Sequence, residues 1–302
     1  MIPMLPRESS THLHGAGIRG HRASRSGFAT AIFAAALYAL PANAQRVKTE
    51  VPYVPTPPAV VMAMLETARV TSDDVVFDLG SGDGRIVIAA AASFGARGVG
   101  VEIDPELVRL ARDNARDAGV ADRVTFLERD LFETNLREAT VVTLYLLPII
   151  NYRLQPRLLE QLRPGARVVS HAFDMADWNP DLEFQIDDRW VFYWIVPARV
   201  DGVWEWTRRD SRTTVRAELR QRFQYMSGRV REEGVEVDIQ EPGIRGVEVA
   251  FTTEVSRGGV VVRSRYRGVV EGDTVTGTVE IVGGTQAGTH SWRARRTTDR
   301  DR

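Results

Sequence analysis

The run Val75-Val76-Phe77-Asp78-Leu79-Gly80-Ser81-Gly82-Asp83-Gly84-Arg85 constrains the fold of this chain more than any other stretch of it. A short apolar strand carries an aspartate near its end, three alternating glycines follow, and the alanine-rich residues 85–94 have the composition of a helix. Glycine takes positive φ at no steric cost and lets the backbone approach a ligand closely. The alternation continues downstream. Residues 98–102 predict a second strand, 105–118 an amphipathic helix closed by Gly119, and 124–128, 141–146 and 167–170 three more strands. A helix is expected at about 152–162, stopped by Pro164-Gly165. Strands separated by helices at this spacing imply parallel βαβ units, and residues 182–186 and 190–196 would complete the sheet. The expectation is an α/β fold with a doubly wound, seven-stranded Rossmann-like sheet.

Both flanks differ from this core. Residues 1–44 carry four arginines against one glutamate, an apolar stretch of 13 residues at 28–40, and the small-x-small sequence Ala42-Asn43-Ala44. That is the pattern of a secretory signal peptide with Gln45 as the new N-terminus. Thirteen apolar residues are too few to span a bilayer as a helix. The expected location is therefore exported, periplasmic or membrane-associated. It is cytoplasmic if the segment is not a functional signal, and membrane contact is expected only through an uncleaved segment. Pro52, Pro55, Pro57 and Pro58 hold the lead-in extended, and Thr56-Pro57-Pro58 predicts a helix start. After Pro197 the segments 203–207, 235–239, 247–254, 260–269 and 274–281 are β-branched and separated by Gly or Asp turns. They predict a smaller antiparallel β domain, a curled meander or small barrel. The organisation read from the sequence is thus 1–44, 45–197 and 198–302.

Composition excludes more than it selects. Cysteine is absent, which removes disulfides, thiolate zinc sites and a cysteine nucleophile. The five histidines are His12, His14, His21, His171 and His290, too scattered to suggest a metal site. A net charge of −1 recommends no polyanionic partner.

The acidic residues carry the chemistry. In open α/β sheets ligands bind outside the carboxyl ends of the strands. Asp78 ends the first strand, Glu102 the second, and Asp130 follows the third in Glu128-Arg129-Asp130-Leu131-Phe132. A dinucleotide fingerprint would need a third glycine where Arg85 stands, and a pyrophosphate is poorly served by a turn flanked by Asp78 and Asp83. S-adenosyl-L-methionine has no phosphate and carries a sulfonium and an α-ammonium, so acids around Gly80, Ser81, Gly82, Asp83 and Gly84 suit it. Glu102 is placed to accept from ribose hydroxyls. Asp130 is placed to meet the adenine amino group, with Leu131 against the ring.

Asp78 to Arg85, Glu102-Ile103 and Asp130-Leu131 resemble the cofactor motifs of class I methyltransferases over residues 52–197. More narrowly, VPYVPTP, DLGSGDGRIVIAAA, EIDPEL, YLLP and the W-x-P of 178–180 are similar to a small family of protein-lysine methyltransferases. The resemblance implies methyl transfer from adenosylmethionine, with a protein lysine nitrogen as the best acceptor. A protein or small-molecule acceptor is expected, and a nucleic acid is not, because Tyr145-Leu146-Leu147-Pro148 stands where base methylases carry an Asn/Asp-Pro-Pro-aromatic motif. Two readings stand beside it: a non-catalytic adenosylmethionine-binding module whose β domain holds an envelope component, and a nucleotide-dependent oxidoreductase. Candidate catalytic residues are Tyr145, which lines an acceptor channel or packs the core, and His171, a base or a structural histidine.

Overall fold

The computed structural model describes residues 53–208 and 213–297. The expected signal peptide and its cleavage point lie outside the described residues.

The extended lead-in reaches a first helix, α1 (Pro58–Thr67), with Pro57 as its N-cap. Seven strands then build the first sheet: β1 (Val75–Leu79), β2 (Arg97–Glu102), β3 (Val124–Glu128), β4 (Val141–Leu144), β5 (Arg167–His171), β6 (Leu182–Ile186) and β7 (Arg189–Ile195). Their order is β3-β2-β1-β4-β5-β7-β6. The first five are parallel, and β7 is antiparallel to both neighbours. The order reverses at β1, which pairs with β2 on one side and β4 on the other. This is the switch point where such sheets open a crevice at their carboxyl ends.

Both faces are covered. Strand parity sends Val76, Val141 and Val169 to a core with α1, α2 (Arg85–Phe94) and α3 (Pro105–Asp117). It sends Val75, Phe77, Leu79, Val142 and Val168 to a second core with Leu154 and Leu158 of α4 (Pro148–Gln161). The helix α4 begins four residues earlier than expected. Pro148-Ile149-Ile150 looks like a continuing strand, yet proline at the first helical position has the right φ and no amide hydrogen to lose.

The second sheet has nine antiparallel strands in the order β11-β10-β9-β8-β16-β15-β14-β13-β12. They are β8 (Gly202–Thr207), β9 (Thr214–Arg222), β10 (Tyr225–Glu232), β11 (Val235–Asp238), β12 (Gln240–Arg245), β13 (Glu248–Arg257), β14 (Val260–Glu271), β15 (Thr274–Val282) and β16 (Gly288–Thr297). The expected segments correspond to β8, β11, β13, β14 and β15, and β9, β10, β12 and β16 are additional. Two meanders join through β16 and β8, and Ile239 donates its amide to Gly228 near the far edges, so the sheet curls almost into a barrel. Trp204, Trp206, Phe251, Tyr266 and Trp292 fill its interior, the last four with rings in edge-to-face and stacked contact. Among the described residues no helix is long and apolar enough to cross a membrane.

Candidate functional site

Parallel pairing brings the ends of β1, β2 and β3 to one edge of the sheet, with the chain after β4 and β5 beside them. The candidate residues Asp78, Gly80 to Gly84, Glu102, Ile103, Asp130 and Leu131 therefore share one side of the molecule, as do Tyr145 and His171.

Gly80, Gly82 and Gly84 have φ of +78°, +53° and +80°, so all three need glycine for the backbone alone. The space beside them belongs to protein. A Cβ on Gly80 would sit 2.7 Å from Leu146, on Gly82 2.3 Å from the Tyr53 ring, and on Gly84 2.6 Å from Phe126. The positive φ expected from the sequence is present, and the glycines also serve close packing of side chains around the turn. The amides of Gly80 and Ser81 both donate to Val101 O, which ties the turn to β2.

Asp78 is buried and pairs in register with Thr143, whose Oγ1 donates to Asp78 Oδ1 at 2.8 Å. Burial pushes its carboxyl up to about 7, against that hydrogen bond, and the negative charges of Glu102 and Asp83 add to the rise. A buried carboxylate with one neutral donor is suited to a cation. Glu102 accepts from the amides of Gly82 (3.0 Å), Ile103 (2.8 Å) and Asp104 (3.0 Å), which fix its carboxylate between the glycine turn and α3. Ile103 beside it is 61% exposed, an apolar side chain open to a ligand. Asp130 caps a single 3-10 turn (Leu131–Glu133) by accepting from Phe132 N at 2.8 Å, which leaves Leu131 next to it partly buried. Ser81 is buried, and its Oγ has no partner among the described residues.

Asp83 is engaged elsewhere. The Arg85 guanidinium grips it at 2.6 Å and holds its carboxyl below the usual range against burial. Its hydroxyl partner is Tyr53, whose own pKa is raised by burial and by Asp83. Arg85 also donates to Thr56 O at 2.9 Å. The proline lead-in is thereby strapped over the glycine turn, and Tyr53 and Thr56 are site residues that the sequence reading missed. The signal was present in VPYVPTP, but only the fold shows what the motif touches.

Thr56 Oγ1 lies 3.1 Å from His171 Nδ1, and the Tyr145 ring lies against the imidazole, tilted by 33° with centroids 3.9 Å apart. His171 is buried, and its Nε2 has no partner among the described residues. Burial, helped by Arg189, pushes its pKa down to about 4, so the ring is neutral at physiological pH. A neutral imidazole of that pKa is a hydrogen-bonding group and a poor proton acceptor for an ammonium. Among the described residues no cluster of His, Asp and Glu is arranged to hold a metal.

The comparisons with known proteins agree with this geometry. The ANTKMT methyltransferase domain matches residues 78–182. A protein-lysine N-methyltransferase of Saccharolobus islandicus is 49% identical over 139 residues, 46% of this chain and 86% of that protein. The chain belongs to the same methyltransferase family. It is a class I S-adenosylmethionine-dependent methyltransferase, and hence an enzyme, which sets aside the reading of a non-catalytic binding module. The mouse adenine nucleotide translocase lysine N-methyltransferase is 38% identical over 44% of this chain, which spans only 58% of that protein. A crystal structure of an RNA methyltransferase from Salinibacter ruber with S-adenosyl-L-homocysteine is 58% identical, covering 49% of this chain and 96% of that one, with a TM-score of 0.48. The family match at residues 78–182 falls within the first sheet and its helices and ends before the nine-stranded sheet begins at Gly202.

Proposed function

We propose that this methyltransferase transfers the methyl group of S-adenosyl-L-methionine to a lysine nitrogen of a protein, with the cofactor held by the acidic strand ends. The observation that carries the reading is Asp78, a buried carboxyl at the end of β1 whose one hydrogen-bond partner among the described residues is Thr143. Its natural partner is the α-ammonium of the cofactor, since a buried charge needs an opposite one. Glu102, already oriented by three amides, takes the ribose hydroxyls, and Ile103, Asp130 and Leu131 frame the adenine. Gly80, Ser81, Gly82, Asp83 and Gly84 form the turn beneath, with Asp83 acting through Arg85 and the lead-in.

When bound, the cofactor supplies an electrophilic methyl on a sulfonium. The chain's own task is to bring a deprotonated amine into line with it and keep water out. Tyr145 and His171 with Thr56 line the acceptor side. His171 stays neutral and orients rather than carries the proton, because its pKa lies far below that of an amine. Support for a protein lysine comes from the names of the archaeal and mouse relatives. We also propose that residues 1–44 direct export and that residues 45–197 and 198–302 are the two domains, on the compositional pattern and on the separate core of the second sheet.

The test is transfer from methyl-labelled adenosylmethionine to fractionated proteins and to RNA from the same cells. Label on lysine after digestion is expected. Label confined to RNA, or to another side chain, overturns the acceptor assignment.

A further inference from the structure

The first sheet has an unusual gap on its α4 face. A strand that returns parallel to its predecessor normally brings a crossover helix to cover the sheet. The connection from β5 to β6, residues 172–181, contains no helix. In its place Met175 and Trp178 of the connection join Phe192 and Trp194 of β7 in the core on that face, Trp178 fully buried against Trp194 at 5.8 Å between rings, with its carbonyl accepting the Trp194 indole N–H at 2.7 Å.

The second sheet fills the gap. The hairpin between β9 and β10 turns on two residues, Phe223 and Gln224. The Phe223 ring packs against the same core and stacks on Trp178, with centroids 6.2 Å apart and planes at 21°. Around it Arg222 pairs with Asp177 at 2.9 Å, Gln224 Nε2 donates to Asn179 O at 2.7 Å, and Asn179 reaches the Tyr225 hydroxyl. Gln221 braces the hairpin, donating to Ala198 O and Phe223 O and accepting from Val200 N. Phe223 has a φ of +53° in a position that glycine or asparagine fills by preference. A strained bulky residue persists where its side chain is needed.

The gripped connection leads to the candidate site. It begins at the end of β5, next to His171. Asn151 of α4 donates to Phe173 O and Asp174 O, and Gln155 donates to Met175 O and Asp177. Helix α4 in turn follows directly on Tyr145 and Leu146, the latter against Gly80. Hairpin, connection and α4 therefore form one bonded unit behind the acceptor side, and none of its members is among the candidate cofactor residues.

We infer that the hairpin of the second domain sets the acceptor side of the enzyme, with Phe223 as a positioning residue that acts through Trp178 and the 172–181 connection. The inference rests on the proposed methyl transfer, and one of its two readouts does not. In the full chain, Phe223→Asn keeps a residue that tolerates the turn while removing the ring, and Phe223→Leu keeps an apolar filler. Hydrogen exchange should rise at least tenfold at the amides of 173–179 in Phe223→Asn while those of 80–84 stay unchanged. Adenosylmethionine affinity should stay within twofold, the acceptor KM should rise or kcat fall by about tenfold, and Phe223→Leu should recover much of the loss. The exposed pair tested by Arg222→Ala should matter far less. Unchanged exchange at 173–179 removes the clamp, whatever the acceptor proves to be. Raised exchange with unchanged KM and kcat shows a purely structural brace and overturns the inference. Cofactor affinity lost in parallel with activity does the same. Absence of transfer by the unsubstituted chain, with the exchange result intact, refutes the proposed reaction instead.

Discussion

Asp78→Asn should make the protein more stable and a worse enzyme. The carboxyl is completely buried, and its pKa stands at about 7 against an ordinary 3.8. At 1.36 kcal/mol for each factor of ten, ionising it in the folded state costs ~4 kcal/mol. The sign follows from linkage. A group that binds its proton more tightly when folded contributes stability that is complete below pH 3.8 and lost as the pH rises through about 7. Asparagine keeps an oxygen for the Thr143 hydroxyl and has no charge to desolvate. The variant and the parent should therefore melt within a few degrees of each other at pH 4 to 5 and diverge above it. At about 2–4 °C per kcal/mol, the variant's Tm should be higher by roughly 8–16 °C at pH 8.5. Titrations common to both proteins cancel in the difference. Thermal unfolding across pH 4–9 measures it, and a difference that does not change with pH would refute the claim that Asp78 titrates near neutrality. The same substitution should weaken adenosylmethionine by about 1.5–3 kcal/mol, the worth of a hydrogen bond to a charged group. A destabilised carboxylate kept for its partner is the expected trade of stability for activity.

Other outcomes follow from the same geometry. Glu102→Ala should weaken the cofactor by about 1.5–3 kcal/mol with the fold intact by circular dichroism, and an unchanged Kd would remove Glu102 from the ribose. Residues 45–197 alone should keep cofactor affinity but bind an apolar dye and melt earlier, because Trp178 loses the Phe223 ring; a fragment as stable as the full chain contradicts that cover. Fusion of residues 1–50 to a reporter active only outside the cytoplasm should give signal, with the mature chain starting at Gln45, and cytoplasmic retention would dismiss the export signal.

The first sheet was legible because its apolar runs are short and bounded by strong punctuation. Gly95, Gly119 and Gly165 take positive φ where helices or turns close, and Asp104 caps α3 by accepting from Glu106 N. Asp78, Glu102 and Asp130 could be read as a set because parallel pairing brings successive strand ends to one edge. Tyr53, Thr56 and Thr143 could not, since each acts on a residue far along the chain. In the second sheet β9 and β16 escaped notice because their outward positions carry Arg216, Glu218 and Arg220 in the one and Arg293 and Arg295 in the other, residue types that favour helices when read alone. Inward Val215, Ala217, Leu219, Trp292 and Ala294 make them strands only once the barrel exists. The clamp at Phe223 was invisible for the same reason. Its left-handed turn contradicts local preference, and the ring it stacks on, Trp178, lies in the 172–181 connection, far away in the sequence.

Every role proposed for the acidic strand ends depends on their holding adenosylmethionine. Calorimetric titration of the chain from Gln45 onward, with adenosylmethionine, S-adenosyl-L-homocysteine and NAD in turn, tests it most directly. Saturable binding of the first two and no heat with NAD are expected. Below pH 7, adenosylmethionine binding should also release a proton as Asp78 ionises against the ammonium, seen as a dependence of the heat on the buffer used. Saturable NAD binding without adenosylmethionine binding would contradict the account at its base.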